Sequence, residues 1–120
     1  MIRVAIIAFA FVVSTPLLAS ATKECKVTAV VQSVSGSAEK PILKIHIRSA
    51  SFERGHSMGE DCTFLESSLY RETQVELSSP VKASAGQEIL LLFIDVRNVT
   101  PEGPRMHQHW EVHPDNGKKK

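Results

Sequence analysis

The chain has 120 residues, of which 42% are apolar, and its 14 basic side chains nearly balance 13 acidic ones. A chain of this length suits one domain with one hydrophobic core. Near-neutral charge provides no general attraction for a phosphate backbone, so the composition disfavours nucleic acid as a partner.

The first residues, MIRVAIIAFAFVVSTPLLASA, have the pattern of a secretory signal peptide. Arg3 precedes an apolar stretch from Val4 to Val13, and the small residues Ala19 and Ala21 occupy positions −3 and −1 of a cleavage point. The apolar stretch is shorter than the roughly 20 residues that span a bilayer, so no transmembrane segment is expected after cleavage. An uncleaved anchor is the alternative. We predict residues 1–21 as a signal peptide and a periplasmic or secreted location.

Two cysteines, Cys25 and Cys62, remain in the predicted mature chain. In an oxidising compartment, an even pair of cysteines in a small domain indicates a disulfide bond. We therefore predict a Cys25–Cys62 disulfide, with a free or metal-bound thiol as the alternative.

Alternation of apolar and polar residues predicts the first two strands. Val27, Ala29 and Val31 alternate with polar neighbours, as do Leu43, Ile45 and Ile47 farther along. The outward positions of the second strand form a basic row, Lys44, His46 and Arg48. This row is one candidate ligand face, and an ordinary solvated strand face is the alternative.

The stretch DCTFLESSLYRE supports two predictions. A short helix near residues 62–71 could begin with Asp61 as its N-cap, with Phe64 or Leu65 pairing with Leu69 on one face. A short strand through residues 62–65 fits equally well.

Three more strands are predicted after this stretch. Val75 and Leu77 alternate with polar residues, and the run EILLLFIDV is apolar on both faces, as in a strand covered on both sides. Residues 98–104, rich in proline and glycine, predict a loop before a final strand in RMHQHWEVH. The domain is predicted to span residues 22–114, followed by a flexible basic tail at 115–120.

Five short strands in one small domain predict an all-β fold, a small five-stranded antiparallel barrel, with an eight-stranded barrel or a sandwich as alternatives. The segments CKVTAVVQSV, ILKIHIRSAS, TQVEL, GQEILLLFIDV and HQHWEV resemble the oligonucleotide/oligosaccharide-binding (OB) fold. That resemblance implies ligands on the middle strands and adjoining loops. The predicted core consists of Val27, Val31, Ile45, Ile47, Val75, Leu77, Leu91, Phe93 and Trp110.

The final strand contains a possible metal site. In an extended chain His107, His109 and His113 share one face, and imidazole is a ligand for zinc and copper. The simpler interpretation is that these histidines face solvent while Met106, Trp110 and Val112 pack in the core.

A Cu(I) variant of the site adds Met106 or Met58. The residue types resemble those of small periplasmic copper carriers on OB-like barrels, which hold Cu(I) with one His, two Met and a nearby Trp. In this chain the spacing differs, and Met106 and Trp110 would lie opposite the histidines.

Catalytic motifs are not evident, since no serine lies in a G-x-S-x-G elbow and no HExxH or phosphate loop occurs. The sequence therefore predicts a non-enzymatic binding or interaction module of the cell envelope, without a cofactor and with a protein or small-ligand partner. The alternative is a periplasmic copper- or zinc-binding protein that uses the histidine-rich strand.

Overall fold

The computed structural model describes residues 20–117. Within them one antiparallel sheet, in the order β3-β2-β1-β4-β5, curls into a half-barrel, so the predicted all-β class and five antiparallel strands are confirmed. The 3₁₀ turn at Thr63–Glu66 is the helical element of this part of the chain. The strands are β1 (Ser20–Gly36), β2 (Pro41–His56), β3 (Glu72–Glu76), β4 (Glu88–Thr100) and β5 (Gly103–Val112).

The core lies on the concave face of this sheet, where the predicted alternation places it. Trp110 is half-buried and packs against this core, because β5 is an edge strand of the sheet. The other eight predicted core side chains are at most 5% exposed: Val27, Val31, Ile45, Ile47, Val75, Leu77, Leu91 and Phe93.

β-bulges allow one strand to change the face that it buries. In β2 the inward residues Ile45 and Ile47 are odd-numbered, whereas Ala50 and Phe52 continue the inward row with even numbers. The change occurs at a register shift, where Thr28 and Ala29 of β1 pair with Ser49 and Ile47. The extra residue bends the strand and increases its twist, which curls the sheet.

The two edges of the half-barrel meet at one point. Leu77, just after β3, forms an isolated parallel bridge with Trp110 of β5. The segment from Asp61 to Arg71 lies against both edges near this bridge, since Phe64, Leu65 and Tyr70 line one pocket with Thr73 of β3 and Trp110 of β5. We call residues 61–71 the strap.

The strap is fastened to the sheet by the confirmed disulfide between Cys25 of β1 and Cys62. Glu66 adds a second attachment, since its Oε2 accepts a hydrogen bond of 2.9 Å from the backbone N–H of Ala50. Of the two alternatives left open for this stretch, a short helix or a short strand, the structure has a single 3₁₀ turn, which buries Leu65. Leu69 is 85% exposed and does not pair with it.

The β4–β5 hairpin is longer than the sequence suggests. Residues 98–104, predicted as a loop, instead continue both strands around a tight turn, with Thr100 opposite Gly103. Gly103 has φ +120°, a conformation that side chains disfavour. The hairpin extends past the core, so Met106, expected inside, is 65% exposed.

Most of the predicted signal peptide, residues 1–19, and residues 118–120 of the tail lie outside the described residues. Ser20 and Ala21 belong to β1, opposite Asn98 and Arg97. Residues 115–117 form a turn in which Asn116 Oδ1 accepts a hydrogen bond from the Leu90 N–H. Across residues 20–117, the structure shows no helix with the length and apolar character to cross a membrane.

Candidate functional site

The structure keeps two of the three C-terminal histidines together. His107 and His109 lie on the same face of β5, with ring centroids 5.1 Å apart. Nε2 of His109 lies 3.0 Å from Glu111 Oε2. Met106 is on the opposite face, as strand alternation requires.

His113 is separated from this pair by burial. It follows the end of β5, is 4% exposed and lies between two carboxylates, with Nε2 3.3 Å from Glu53 Oε2. Its Nδ1 accepts a hydrogen bond of 3.0 Å from the backbone N–H of Asp115. In residues 20–117 no group of three or more His, Cys, Asp or Glu side chains is arranged to hold a metal ion.

The basic row on β2 points outward, as the alternation predicts, and two of its members contact carboxylates. His46 Nδ1 bonds to Glu72, and Arg48 lies 3.4 Å from Glu88. The hydrogen bond from His46 is the main cause that holds the pKa of Glu72 below its usual value. These contacts neutralise much of the row's charge, as expected of a solvated strand face.

A pocket of about 150 Å³ lies between the strap, the two edge strands β3 and β5, and β4. We call it the aromatic pocket, because four of the five aromatic side chains in residues 20–117 line it. Leu65 supplies an aliphatic wall, and Thr73 and Gln108 supply the polar part. The four aromatic residues are Phe64, Tyr70, Phe93 and Trp110.

The rings of the aromatic pocket are in mutual contact. Phe93 is central, with its ring centroid 4.9 Å from that of Trp110 and 6.2 Å from that of Phe64. Phe64 in turn meets Tyr70 edge to face at 5.5 Å. These spacings are within the range that favours aromatic pairs, so the rings hold one another in place.

Polar groups lie beside the rings on the same face of the sheet. Lys23 of β1 and Asp95 of β4 are directly opposite in the register, and both are at least nine-tenths buried. Lys23 Nζ donates 2.8 Å to the Asp61 carbonyl and lies 5.5 Å from the centroid of the Phe64 ring. The cation thus stabilises the strap and stacks on the pocket wall.

The buried carboxylate of Asp95 contacts Gln108, a residue of the pocket lining. Its Oδ2 accepts long hydrogen bonds from Gln108 Nε2, at 3.4 Å, and from the guanidinium of Arg97, at 3.3 Å. Among residues 20–117, no group hydrogen-bonds its buried Oδ1. A buried carboxylate oxygen without a partner is costly.

The strap begins with a turn that the side-chain carboxylate of Asp61 stabilises. Asp61 Oδ1 accepts hydrogen bonds from the hydroxyl and the N–H of Thr63, at 2.6 Å and 2.9 Å. These two bonds hold the pKa of Asp61 below its usual value, and the bond from the Thr63 hydroxyl has the larger effect. The turn directs the chain into the 3₁₀ helix that supplies Phe64 and Leu65 to the pocket.

The sequence did not reveal the aromatic pocket, although it showed every residue that forms it. Asp95 was the available signal, a carboxylate within the strongly apolar run EILLLFIDV. Nothing in the sequence indicates that the strap brings Phe64 and Tyr70 against Phe93 and Trp110.

Comparison of the chain with protein-family models, with curated proteins and with solved structures gives no match.

Proposed function

We propose that this chain is an exported, non-catalytic binding module of the cell envelope, whose aromatic pocket receives a small planar group of its ligand. The observation that carries the proposal is the convergence of Phe64, Tyr70, Phe93 and Trp110 on one pocket with a polar side. Ligand sites are typically concave and apolar, with few polar groups that fix orientation.

An OB-like barrel is the architecture that we propose for this module. In support, the strand order and the parallel bridge between Leu77 and Trp110 bring the edge strands β3 and β5 together. We call the place where these two edges meet the seam. Such an arrangement is compatible with a five-stranded, partly open barrel. The proposed site lies at the seam, rather than on the basic row of β2.

Export is supported by the sequence of residues 1–21 and by the disulfide. Cys25 and Cys62 are 0% and 2% exposed, and such buried disulfides are typical of proteins from oxidising compartments. We place the module in the periplasm or outside the cell.

The single tryptophan of the chain, Trp110, lines the pocket and reports directly on its occupancy. Titration of the disulfide-bonded protein with a panel of single-ring compounds, including toluene and p-cresol, is expected to change tryptophan fluorescence saturably and raise Tm by mass action. Tyr70→Ala, which removes one wall, should weaken binding about tenfold. The neighbouring variant Leu69→Ala is the control, because Leu69 is exposed and outside the pocket.

A flat titration with every ring compound would refute the proposed function. So would equal binding by Tyr70→Ala and the unsubstituted protein, because binding would then occur elsewhere on the surface.

The second candidate is a copper- or zinc-binding protein, and the close pair of rings at His107 and His109 favours it. A site of this kind should bind one equivalent of Zn²⁺, Cu²⁺ or, under reducing conditions, Cu⁺. Binding should weaken in acid, because protons compete with the metal ion for a ligating imidazole.

The measurement is calorimetric titration of tag-free protein, compared with His107→Ala/His109→Ala. We expect weak binding, because His113 is buried between Glu53 and Asp115 and does not join the pair. Tight binding of one equivalent that disappears in the double variant would instead establish the metal function.

A further inference from the structure

We propose that the aromatic pocket selects a neutral, single-ring compound that carries a hydrogen-bond donor, the phenol class of ligand. This inference rests on the proposed binding function and adds the chemistry of the ligand. It follows from the size of the pocket, from its acceptor groups and from the buried charges next to it.

The pocket has room for one ring. Its volume is about 150 Å³, and a cavity on the order of 150 Å³ lined by apolar side chains holds a benzene-sized molecule. Larger ligands of drug size occupy roughly 300–1,000 Å³. A ring inserted here can stack against Phe93 and Trp110 and meet the edge of Phe64.

The polar side of the pocket offers acceptors to a donor on that ring. Gln108 lines the pocket, and its Nε2 is engaged by Asp95 Oδ2, which leaves the amide oxygen Oε1 as the end available to a ligand. The other oxygen of Asp95, Oδ1, is buried and has no hydrogen-bond partner within residues 20–117. A hydroxyl or N–H on the ring can therefore donate to Gln108 Oε1, while Asp95 acts as a positioning residue.

The buried charges argue against an ionic ligand. Lys23 lies over Phe64 on one side, and Asp95 holds Gln108 on the other. An ammonium or a carboxylate group would be attracted by one of these charges and repelled by the other, and it would lose its hydration on entering an apolar pocket. A neutral donor avoids that desolvation cost. A phenol, with its pKa near 10, is neutral at pH 7.

The test compares four matched ligands with the disulfide-bonded protein by Trp110 fluorescence: p-cresol, toluene, benzylammonium and benzoate. We expect p-cresol to bind about tenfold or more tightly than toluene, and more tightly than both ions. Gln108→Leu should reduce the preference for p-cresol over toluene to about twofold or less. Gln74→Leu is the control, because Gln74 is exposed on β3 and outside the pocket.

Asp95→Asn tests the positioning role, and its readout is the ratio of p-cresol to toluene affinity. A purely structural carboxylate would weaken both ligands equally and leave that ratio unchanged. We expect the ratio to fall at least threefold, because the amide of Gln108 loses its charged acceptor. Since Asp95 is buried and its variant can lose stability, Gln108→Leu at the exposed edge keeps the test independent of folding.

The outcomes separate this inference from the proposed function. Equal affinity for p-cresol and toluene, unaffected by Gln108→Leu, would overturn the inference and leave a ring-binding module. Preference for benzylammonium or benzoate would also overturn it. Absence of binding by every ring compound would overturn the function itself. Comparison of p-cresol with N-acetyltyrosinamide then distinguishes a free phenol from a tyrosine side chain of a partner protein.

Discussion

Replacing Ile45 with alanine is expected to lower the free energy of unfolding by about 2–5 kcal/mol. Ile45 is 0% exposed and lies in the first half of β2, between Leu43 and Ile47 of the same inward row. Truncation removes buried methyl and methylene groups and leaves a cavity that the strands on either side, β1 and β3, cannot close without breaking their register. Denaturant melts measure the change as a shift of the transition midpoint at constant slope.

Leu69→Ala is the matched control for this substitution, since it removes a similar side chain that is 85% exposed. Its effect should stay within about 0.5 kcal/mol. A near-neutral result for Ile45→Ala would show that the inward face of β2 has been assigned to the wrong side.

Removal of the disulfide, by the double substitution Cys25→Ala/Cys62→Ala, is expected to cost about 3–4 kcal/mol. The two cysteines are 37 residues apart, so the bond restricts a long stretch of the unfolded chain. The loss is a large share of the stability of a domain of this size, typically about 5–15 kcal/mol. Urea melts of the oxidised protein and the double variant give the difference.

The same double variant should also weaken the binding of ring compounds, because Phe64 lies two residues after Cys62. A change in the free energy of unfolding of less than about 0.5 kcal/mol would contradict the prediction, because it would show that the disulfide does not hold the strap in place. The control is the oxidised protein incubated with a mild reductant under native conditions, where the buried residues Cys25 and Cys62, 0% and 2% exposed, should resist reduction.

Alternation of residue type was enough to predict the strands and most of the core. Val27, Val31, Ile45 and Ile47 are buried as expected, because a strand with one buried face requires that period. The disulfide could be predicted from the cysteine count, since two cysteines in a small domain allow one internal pair.

The remaining features depend on contacts that no local pattern shows. The face change in β2 arises at a bulge whose position is fixed by pairing with β1. Met106 was expected in the core, but the β4–β5 hairpin extends past the core and exposes it. The aromatic pocket combines the strap with β4 and β5, elements far apart in sequence, so its formation is a tertiary event.

The central position of β1 determines when the sheet can be completed during folding. β1 and β2 are neighbours in sequence and can pair early, but the other edge of β1 waits for β4, where Thr22 meets Val96 and Val30 meets Glu88. Non-local pairings of this kind slow folding, because the loop entropy is lost before the contacts form. Until β4 arrives, the nascent sheet exposes a long unpaired edge between Thr22 and Val30, without a proline to block it. A chain in which β1 is paired with β2 but not with β4 therefore offers this edge to strand addition by a second chain, and shielding of the edge favours native folding over aggregation.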